Sequence, residues 1–407
     1  MKKIISSTGC CLLDYIYTDF SFNNAEFKKY SSRQSGDGGL IPGHLVFAED
    51  LAEFAGETED EVLNQLCRGK SPDTVNLGGP GVVAMVHASQ VLFSEGWDCT
   101  FYGVYNQSEE FRELQKFLDW FPLKYIPLEA AGAVPSTTVL SDPGFKNGSG
   151  ERTFINRLGA ADHFNTDLLD QTFFNGDIIL WGGSALVPPL HDNLTELLKK
   201  SKNLDRINIL GTVYDFRNES KNPIAPWPLG GGEGQAYPYI DLMMTDYQEA
   251  LRLSGTGNLD DAADFFKNSG LGAFIITRGR DDLYLYSNEN GLFKGCSGIY
   301  LPVSPYVDAD LVVHPEKKGD TTGCGDNFMG GVLVSIARQL DAQGIGPLDP
   351  VLAAIEGICS GGLALYSKGG CIRESHPGEK EEHLRRIRQD YLENTLPGIN
   401  GPIKGMD

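Results

Sequence analysis

Short apolar runs alternate along the chain with stretches in which apolar residues recur every three to four positions. This alternation is typical of a βαβ chain, in which buried parallel strands are separated by helices that pack on the sheet. The apolar runs predict strands at 4–13, 99–105, 177–181, 207–213, 240–244 and 273–277. The periodic stretches predict helices at 82–95, 190–200, 247–254, 259–268, 327–339 and 350–366. We therefore expect an α/β fold built on a mainly parallel sheet.

Two regions interrupt the alternation. Residues 18–75 are polar and rich in glycine around 35–39 and then become acidic and helix-like, which is typical of an insertion. Residues 125–160 contain two apolar runs separated by a turn-rich segment, which predicts a β-hairpin. We expect both regions, about 15–75 and 125–160, to form a small lid on a single domain at 1–380. A surface helix and a loose tail are expected at 381–407.

The composition argues against two classes of binding partner, nucleic acids and anionic membranes. Fifty-five acidic residues against 34 basic ones give a formal charge of −21, which repels nucleic acid and anionic membranes. The eight cysteines form no C-x-x-C pair and lie at no metal-ligand spacing from a histidine, so we expect reduced thiols and a cytoplasmic protein. No apolar stretch approaches the length of a membrane helix.

The strongest chemical signal is the turn at 319–326. Gly323 and Gly325 flank Cys324 immediately before a predicted helix. A glycine-rich turn at a helix N-terminus presents unpaired N–H groups to an anion, as phosphoryl transfer requires. Asp326 is suited to accept the proton of an acceptor hydroxyl. The alternative is that Gly-x-Gly-Asp only caps a helix.

The longer string favours the first interpretation. Residues 320–326, Asp-Thr-Thr-Gly-Cys-Gly-Asp, resemble the signature Asp-Thr-x-Gly-Ala-Gly-Asp of the ribokinase or PfkB family of carbohydrate kinases and depart from it only at Cys324. The resemblance implies a three-layer α/β/α sandwich with a small β lid. It also implies that Asp326 is the catalytic base and that the amides from Gly323 to Asp326 surround the γ-phosphate. Cys324 is expected to fill an alanine-sized space, with redox control as the alternative.

The resemblance also implies residues that bind the phosphate acceptor. Asp14, expected near the end of the first strand, corresponds to an acidic residue that holds sugar hydroxyls, although a strand-end turn is the alternative. Gly78 and Gly79 match a glycine pair where backbone approaches the substrate. Val83 stands where the family usually has an asparagine, so one polar contact is missing. Arg157 is a candidate for an acceptor carboxylate or phosphate, against ordinary surface placement.

A further pair of carboxylates is expected near magnesium. Asp246 and Glu249 lie where the family has Asn-x-x-Glu, and one helical turn separates them. That spacing suits the water shell of a magnesium ion bound to ATP. The alternative is an N-cap with a capping-box glutamate, and both roles are compatible.

The nucleotide is expected along three segments. Thr277 and Gly279 belong to a run that resembles the family's nucleotide loop, with Asp282 in place of its last glycine. Gly370 lies in a stretch that resembles the one closing over adenine, and Thr321 belongs to the signature itself. The implied cofactors are ATP and Mg²⁺, with a monovalent cation such as K⁺ as a further candidate.

The predicted activity is ATP-dependent phosphorylation of a hydroxyl on a sugar or sugar-like molecule. Residues 159–161, Gly-Ala-Ala, resemble the adenosine-kinase branch and keep a nucleoside acceptor open as an alternative. A weakly catalytic sugar sensor is a second alternative, against which Asp326 argues. The chain has no Gly-x-Gly-x-x-Gly motif after a predicted strand, which argues against a dinucleotide-binding oxidoreductase. A P-loop kinase is excluded because Asn64 stands where the first glycine of that motif is required. A homodimer formed through the lid is a further expectation.

Overall fold

Two β-sheets organise the part of the chain that the computed structural model describes, residues 3–34, 36–148, 150–231, 235–343 and 346–398. Residues 399–407 of the helix and tail predicted at 381–407, and Ser35 of the predicted glycine-rich segment, lie outside these ranges. The strands are β1 Lys3–Gly9, β2 Leu12–Tyr17, β3 Leu45–Phe47, β4 Thr74–Gly78, β5 Trp97–Tyr105, β6 Lys124–Glu129, β7 Ser136–Asp142, β8 Glu151–Arg157, β9 Ile178–Gly182, β10 Ile207–Gly211, β11 Leu242–Asp246, β12 Ala273–Arg278, β13 Asp281–Ser287 and β14 Cys296–Leu301.

Helices connect and cover these strands. They are α1 Ala25–Tyr30, α2 Ala48–Ala55, α3 Glu59–Leu66, α4 Pro80–Val91, α5 Glu109–Leu118, α6 Phe145–Gly148, α7 Pro188–Asp192, α8 Leu194–Lys202, α9 Phe216–Lys221, α10 Tyr247–Ser254, α11 Leu259–Asn268, α12 Pro305–Val313, α13 Cys324–Gln343, α14 Pro350–Ala364 and α15 Glu379–Asp390. Among the described residues, no helix combines the length and the apolar content needed to cross a bilayer.

The main sheet has the order β14-β13-β12-β11-β10-β9-β1-β5-β6 within the described residues. From β12 to β6 all neighbours run parallel, whereas β13 and β14 are antiparallel additions at one edge. The central strand β9 is buried at every position, as expected of a parallel strand covered on both faces. The predicted α/β class is confirmed, with a mixed rather than wholly parallel main sheet.

The predicted first strand is wrong in one respect, because residues 4–13 form two strands that belong to different sheets. Gly9 ends β1 with φ +132°, and a Cβ there would lie 1.9 Å from the carbonyl oxygen of Gly182. This close approach lets the chain leave the main sheet and start β2 in the smaller one. Asp14 therefore lies within a strand of the smaller sheet and not at the end of the first strand of the main sheet.

The smaller sheet has the order β3-β8-β7-β2-β4 and forms the lid. Its outer face is covered by α1, α2 and α3, which are supplied by the insertion predicted at 18–75. These helices and the sheet share a hydrophobic core separate from that of the main sheet; it includes Phe22, Phe27, Tyr30, Leu51, Val62, Leu66, Leu140 and Ile155. The predicted hairpin corresponds to β7 and β8, whereas β6 belongs to the main sheet.

The C-terminal helix α15 packs more closely than a surface helix would. Leu384 and Ile387 are buried, and both belong to the main hydrophobic core. Lys380, in the first turn of the same helix, is also buried. The helix predicted near the C-terminus is thus present, but its inner face forms part of the domain's interior.

Candidate active site

The turn at 319–326 is held in place by its own aspartate. The Asp320 amide donates to the carbonyl oxygen of Ser367 at 2.9 Å. Its carboxylate accepts from the amides of Thr322, at 2.7 Å, and Gly369, at 3.3 Å. These contacts tie the turn to the loop that follows α14, so both segments are fixed together.

Gly323 is required by this arrangement. Its φ is +76°, and a Cβ there would lie 2.4 Å from the Cα of Gly370. A side chain at either position would push the turn away from the loop behind it. Gly370, which the resemblance assigned to the adenine end, instead packs behind the turn.

The turn leaves a set of amides free for an anion. Cys324 begins α13, and the amide of Asn327 donates to the carbonyl oxygen of Gly323 at 2.8 Å. Within the described residues, no backbone or side-chain group accepts a hydrogen bond from the amides of Gly323, Gly325 or Asp326. Free amides at a helix N-terminus, aided by the helix dipole, are suited to bind a phosphate.

Asp326 lies in the first turn of α13, beside these amides. Burial raises the pKa of its carboxyl to about 7, so it is poised to take up a proton near neutral pH. Burial, together with the neighbouring Asp320 and Asp326, also raises the pKa of the Cys324 thiol to about 12. These influences outweigh the helix N-terminus, so the structure favours Cys324 as a small filling residue rather than a redox-active thiolate.

Asp14 faces the turn from the lid. The pKa of its carboxyl is raised to about 8, mainly by burial and then by the charges of Asp326 and Asp320, while Arg152 acts in the opposite direction. Within the described residues, no group donates a hydrogen bond to this carboxylate. A buried carboxylate without donors is suited to accept hydroxyl groups from a ligand.

Asp14 belongs to a row of polar residues across the inner face of the lid. In the strand registers, Asp14 pairs with Asn76 of β4 and with Thr137 of β7, and Thr137 pairs with Asn156 of β8. Asn156 donates through Nδ2 to Thr137 Oγ1 at 2.9 Å, while its Oδ1 is buried without a partner in the described residues. An unsatisfied buried acceptor of this kind is suited to receive a hydroxyl from a ligand.

The predicted glycine pair shapes the space beside Asp14. A Cβ on Gly78 would lie 2.2 Å from Asp14 Oδ2, and one on Gly79, whose φ is +102°, would lie 2.6 Å from the carbonyl oxygen of Cys10. Val83 is buried and packs against Gly370, where a Cβ would lie 2.9 Å from the Val83 side chain. The position that is usually asparagine in the family therefore serves packing behind the turn.

Arg152 was not singled out in the sequence, yet it connects the lid to the turn. Its guanidinium, on β8, donates to the hydroxyls of Thr322 at 2.5 Å and Thr321 at 2.8 Å. Strand alternation places it on the same face as Asn156. The alternation along β8 was the signal in the sequence for this role of Arg152. It identifies Arg152 only once the structure shows which face of the strand points toward the turn.

Arg157, the predicted acceptor ligand, is engaged elsewhere. Its guanidinium donates to Glu59 Oε2 at 2.6 Å and to Asp60 Oδ1 at 3.1 Å, both on insertion helix α3. It also borders a small void under the lid with Asn156 and Leu158. The observed ion pairs give it a role in attaching the insertion to the lid sheet.

A cavity of about 460 Å³ opens on the other side of the turn. Its floor reaches Thr321, Cys324 and Gly325, so one end of the cavity lies at the free amides. Its remaining wall comes from the β12–β13 turn and from residues on and around α12, α13 and α14: Thr277, Arg278, Gly279, Arg280, Asp281, Leu283, Val303, Ser304, Val307, Asp308, Leu311, Val312, Lys318, Phe328, Ile358, Gly361, Gly362 and Leu365. An apolar wall with a polar end is the lining that a nucleotide requires.

Asp246 and Glu249 form the capping box that was one of their two predicted roles. Asp246 caps α10 by accepting from the Glu249 amide at 2.8 Å. Glu249 is buried and accepts from Thr212 and, at 3.4 Å, from Thr245. Burial and the neighbouring Asp246 raise the pKa of Glu249 to about 8. Within the described residues, His, Cys, Asp and Glu side chains do not gather in threes around a possible ion.

The family of the chain follows from a match that includes this turn. Residues 145–346 match the family described as pfkB family carbohydrate kinase. The chain belongs to the PfkB family of carbohydrate kinases. The recognition made from residues 320–326 is thereby confirmed, and this PfkB-family chain carries the signature at the site built above.

Solved structures agree with the PfkB assignment at the level of the fold. A ribokinase from Thermotoga maritima is 16% identical, with 95% of this chain and 99% of that chain covered and a TM-score of 0.60. An adenosine kinase from Schistosoma mansoni in complex with 2-fluoroadenosine is 13% identical, with 93% and 98% covered and a TM-score of 0.66. An adenosine kinase from Anopheles gambiae is 17% identical, with 89% and 95% covered and a TM-score of 0.63.

Proposed function

We propose that this PfkB-family kinase transfers the γ-phosphoryl group of ATP to a hydroxyl of a sugar or sugar-like molecule. The observation that carries the proposal is the position of the turn at 319–326. Its free amides lie beside the buried Asp326, with Asp14 near this carboxylate and a nucleotide-sized cavity on the other side of the turn. This arrangement supports a phosphate bound between a donor and an acceptor.

The nucleotide side is supported by shape and polarity. The cavity of about 460 Å³ is apolar along α12 and α14 and ends at Thr321 and Gly325, which suits a base at one end and phosphates at the other. Magnesium, when bound with ATP, would neutralise phosphate charge. The exposed carboxylate of Asp246, with Glu249 holding its helix end, is our candidate for its water shell.

The acceptor side is supported by the polar row on the lid. Asp14 has no hydrogen-bond donor among the described residues, and Asn156 Oδ1 is buried without a partner. Both offer an acceptor oxygen, since the carboxyl of Asp14 keeps one even when it holds a proton, so a molecule with several hydroxyl groups would satisfy them at once. The row therefore favours a polyhydroxylated acceptor, although Val83 removes the usual asparagine.

The proposed mechanism assigns one task to each group. Asp326 accepts the proton of the acceptor hydroxyl as that oxygen attacks the γ-phosphorus in line, and the bond from the γ-phosphorus to the bridging oxygen breaks to release ADP. The amides of Gly323, Gly325 and Asp326 donate to the phosphoryl oxygens as charge develops on them. Arg152, fixed on Thr321 and Thr322, adds a positive charge from the lid and shields the site from water.

A nucleoside acceptor is the second candidate, and one observation favours it. The small void under the lid is bordered by Val104, Leu158, Phe164 and Leu186 next to Asn156. An apolar wall beside hydroxyl acceptors would suit a molecule with an aromatic base attached to a sugar. The void itself is too small for such a base, so this acceptor requires the lid to open.

A panel assay tests the proposal. ADP formation would be measured with sugars, sugar phosphates, sugar acids and nucleosides, each with Mg²⁺ and with or without K⁺. We expect acceptor-dependent ADP for the parent protein and none for Asp326→Ala at the same concentration. Sugar binding by calorimetry without acceptor-dependent ADP would overturn the proposed reaction and favour a sensor.

A further inference from the structure

A lysine lies buried behind the proposed anion site without a carboxylate partner in the described residues. Lys380, in the first turn of α15, is 2% exposed. Its Nζ donates to Gln90 Oε1 at 2.8 Å and to Asn327 Oδ1 at 3.5 Å. Burial lowers the pKa of its ammonium to about 8. Burying an ammonium group costs free energy of folding, which indicates that its contacts serve a function.

Asn327, next to Asp326, is the residue that Lys380 meets at the turn. Its side chain is fully buried and all four of its hydrogen-bonding positions are used. Oδ1 lies 3.0 Å from His87 Nδ1 and also receives Lys380. Nδ2 donates to the carbonyl oxygens of Gly323 and Gly370, both at 2.8 Å.

Two donors fix the orientation of this amide. Burial and the charge of Lys380 hold the pKa of His87 well below its usual range, which favours the neutral ring. Its Nε2 is buried without a partner in the described residues, so we assign the ring hydrogen to Nδ1, which donates to Asn327 Oδ1. An amide turned the other way would place Nδ2 against two donors and Oδ1 against two carbonyl oxygens. The cation on Lys380 is therefore part of what keeps Nδ2 directed at the carbonyl of Gly323.

The carbonyl of Gly323 lies in the middle of the turn that carries the free amides. A trans peptide is planar, so a fixed Gly323 carbonyl also fixes the N–H of Cys324, which donates to the carbonyl oxygen of Thr321 at 3.4 Å. Gly323 has a φ of +76°, which few other residues adopt, and the unpaired N–H groups are its own and those of Gly325 and Asp326. A loss of the Asn327 contacts would let this turn rotate and disperse its donors.

We propose that Lys380 is a positioning residue for phosphoryl transfer, acting through Asn327 to hold the turn at 319–326 in the geometry that binds the transferring phosphate. The inference rests on the proposed function and extends it to the C-terminal helix, which lies beyond the residues matched to the family. Gln90 completes the arrangement, since its Nε2 donates to the carbonyl oxygen of Ile372 at 2.8 Å and presents Oε1 to Lys380.

Lys380→Met separates positioning from stability. Methionine retains the length and fills the site without a charge, and apolar replacement of a buried charge is frequently neutral or stabilising. We expect kcat to fall about 10-fold to 100-fold, the range of a hydrogen bond to a charged group that is realised in the transition state. We expect KM for ATP and for the acceptor found in the panel to change less than about two-fold.

Arg388→Met is the matched control on the same helix. Arg388 pairs with Glu356 Oε1 at 2.6 Å and Glu381 Oε1 at 2.7 Å and does not touch Asn327. We expect it to lower Tm and leave kcat unchanged. If Lys380→Met behaves in the same way, with lower Tm and parental kcat, Lys380 is only structural and the inference is overturned.

Asn327→Ser keeps the inference testable should Lys380→Met fold poorly. It removes the amide itself, so we expect a loss of kcat at least as large. Because the lysine acts through this amide, the double variant should be no slower than Asn327→Ser alone. A double variant whose loss of kcat equals the product of the two single losses would contradict the proposed route.

Hydrogen exchange in the ligand-free protein gives a readout that does not depend on activity. We expect the 319–327 peptide to exchange several-fold faster in Lys380→Met than in the parent or in Arg388→Met. If the parent phosphorylates nothing in the panel, the proposed function fails. The exchange measurement still shows whether Lys380 holds the 319–327 segment in place. Parental exchange in Lys380→Met would overturn the inference.

Discussion

At the scale of single residues, the site depends on two carboxyl groups, those of Asp14 and Asp326, whose ionised forms are destabilised by burial. Asp326 was assigned from the signature string, and its role needs a group that gains a proton near neutral pH. The string does not contain this property. Burial supplies it by raising the pKa of Asp326 to about 7 and that of Asp14 to about 8.

Removal of the proposed base is the first test at this scale. Asp326→Ala should lower kcat roughly 10²-fold to 10⁴-fold, the range of a positioned general acid or base. ATP binding, measured by calorimetry, should be retained because the free amides and the cavity remain. Parental turnover in the purified variant would remove Asp326 from this role.

The pKa of Asp326 predicts how activity depends on pH. Only the ionised carboxylate accepts the acceptor's proton, so kcat/KM should rise about tenfold per pH unit below about 7 and level off above that pH. A profile that is flat from pH 5 to 8 would contradict a base with this pKa.

The same shift predicts a change in stability. Between the ordinary pKa of 3.8 and about 7, the unfolded chain has released its proton while the folded carboxyl still holds it, so stability falls as pH rises. Asp326→Asn carries no such proton. Its Tm should therefore exceed that of the parent by a margin that grows from pH 4 to pH 7, measured by thermal unfolding. A constant margin would show that burial does not penalise this carboxylate.

At the scale of elements, the lid strand β8 serves two surfaces at once. Its inner face presents Arg152 and Asn156 to the turn, and its outer face presents Ile155 and Arg157 to the insertion. Sequence alternation predicts that these residues divide into two sets. It does not say which set faces the substrate, so the sequence predicts Arg157 as the acceptor ligand and does not single out Arg152.

Two arginine variants on this strand test the division. Arg152→Met should lower kcat about 10-fold to 100-fold, because a charged donor at the site is lost. Arg157→Met should leave kcat near parental and lower Tm, because its ion pairs join the lid to α3. Steady-state kinetics with thermal unfolding decides between them. The reverse pattern would restore Arg157 as the acceptor ligand.

At the scale of the whole molecule, the insertion gives the lid a hydrophobic core of its own. Helices α1 to α3 bury Leu140 and Ile155 on the outer face of the lid sheet. A lid sheet without such a cover would expose an apolar face, and pairing with a second copy would bury it. Here the same chain already provides the cover.

This arrangement predicts the oligomeric state. We expect a monomer at micromolar concentration in light scattering after gel filtration, because the lid face that a homodimer would use is occupied. Leu51→Asp, which places a charge in the core of the lid, should lower stability without producing a defined dimer. A dimeric mass for the parent that is lost on altering exposed lid residues would support pairing through the lid instead.

The sequence alone determined the class of fold, most of the parallel strands and covering helices of the main sheet, and the turn at 319–326. These features depend on local periodicity and on glycine, whose conformational needs can be read residue by residue. Gly323 therefore occupies the turn that the sequence predicts, and the role of Asp326 as the base stays a prediction.

Only the tertiary structure decided which distant residues support that turn. The contacts of Arg152 with Thr321, of Asp14 with Thr137 and of Lys380 with Asn327 join segments far apart in the chain. Such contacts depend on strand register and on the burial of one particular face, and neither leaves a local pattern. The raised pKa values arise in the same way, because desolvation is a property of the packed molecule.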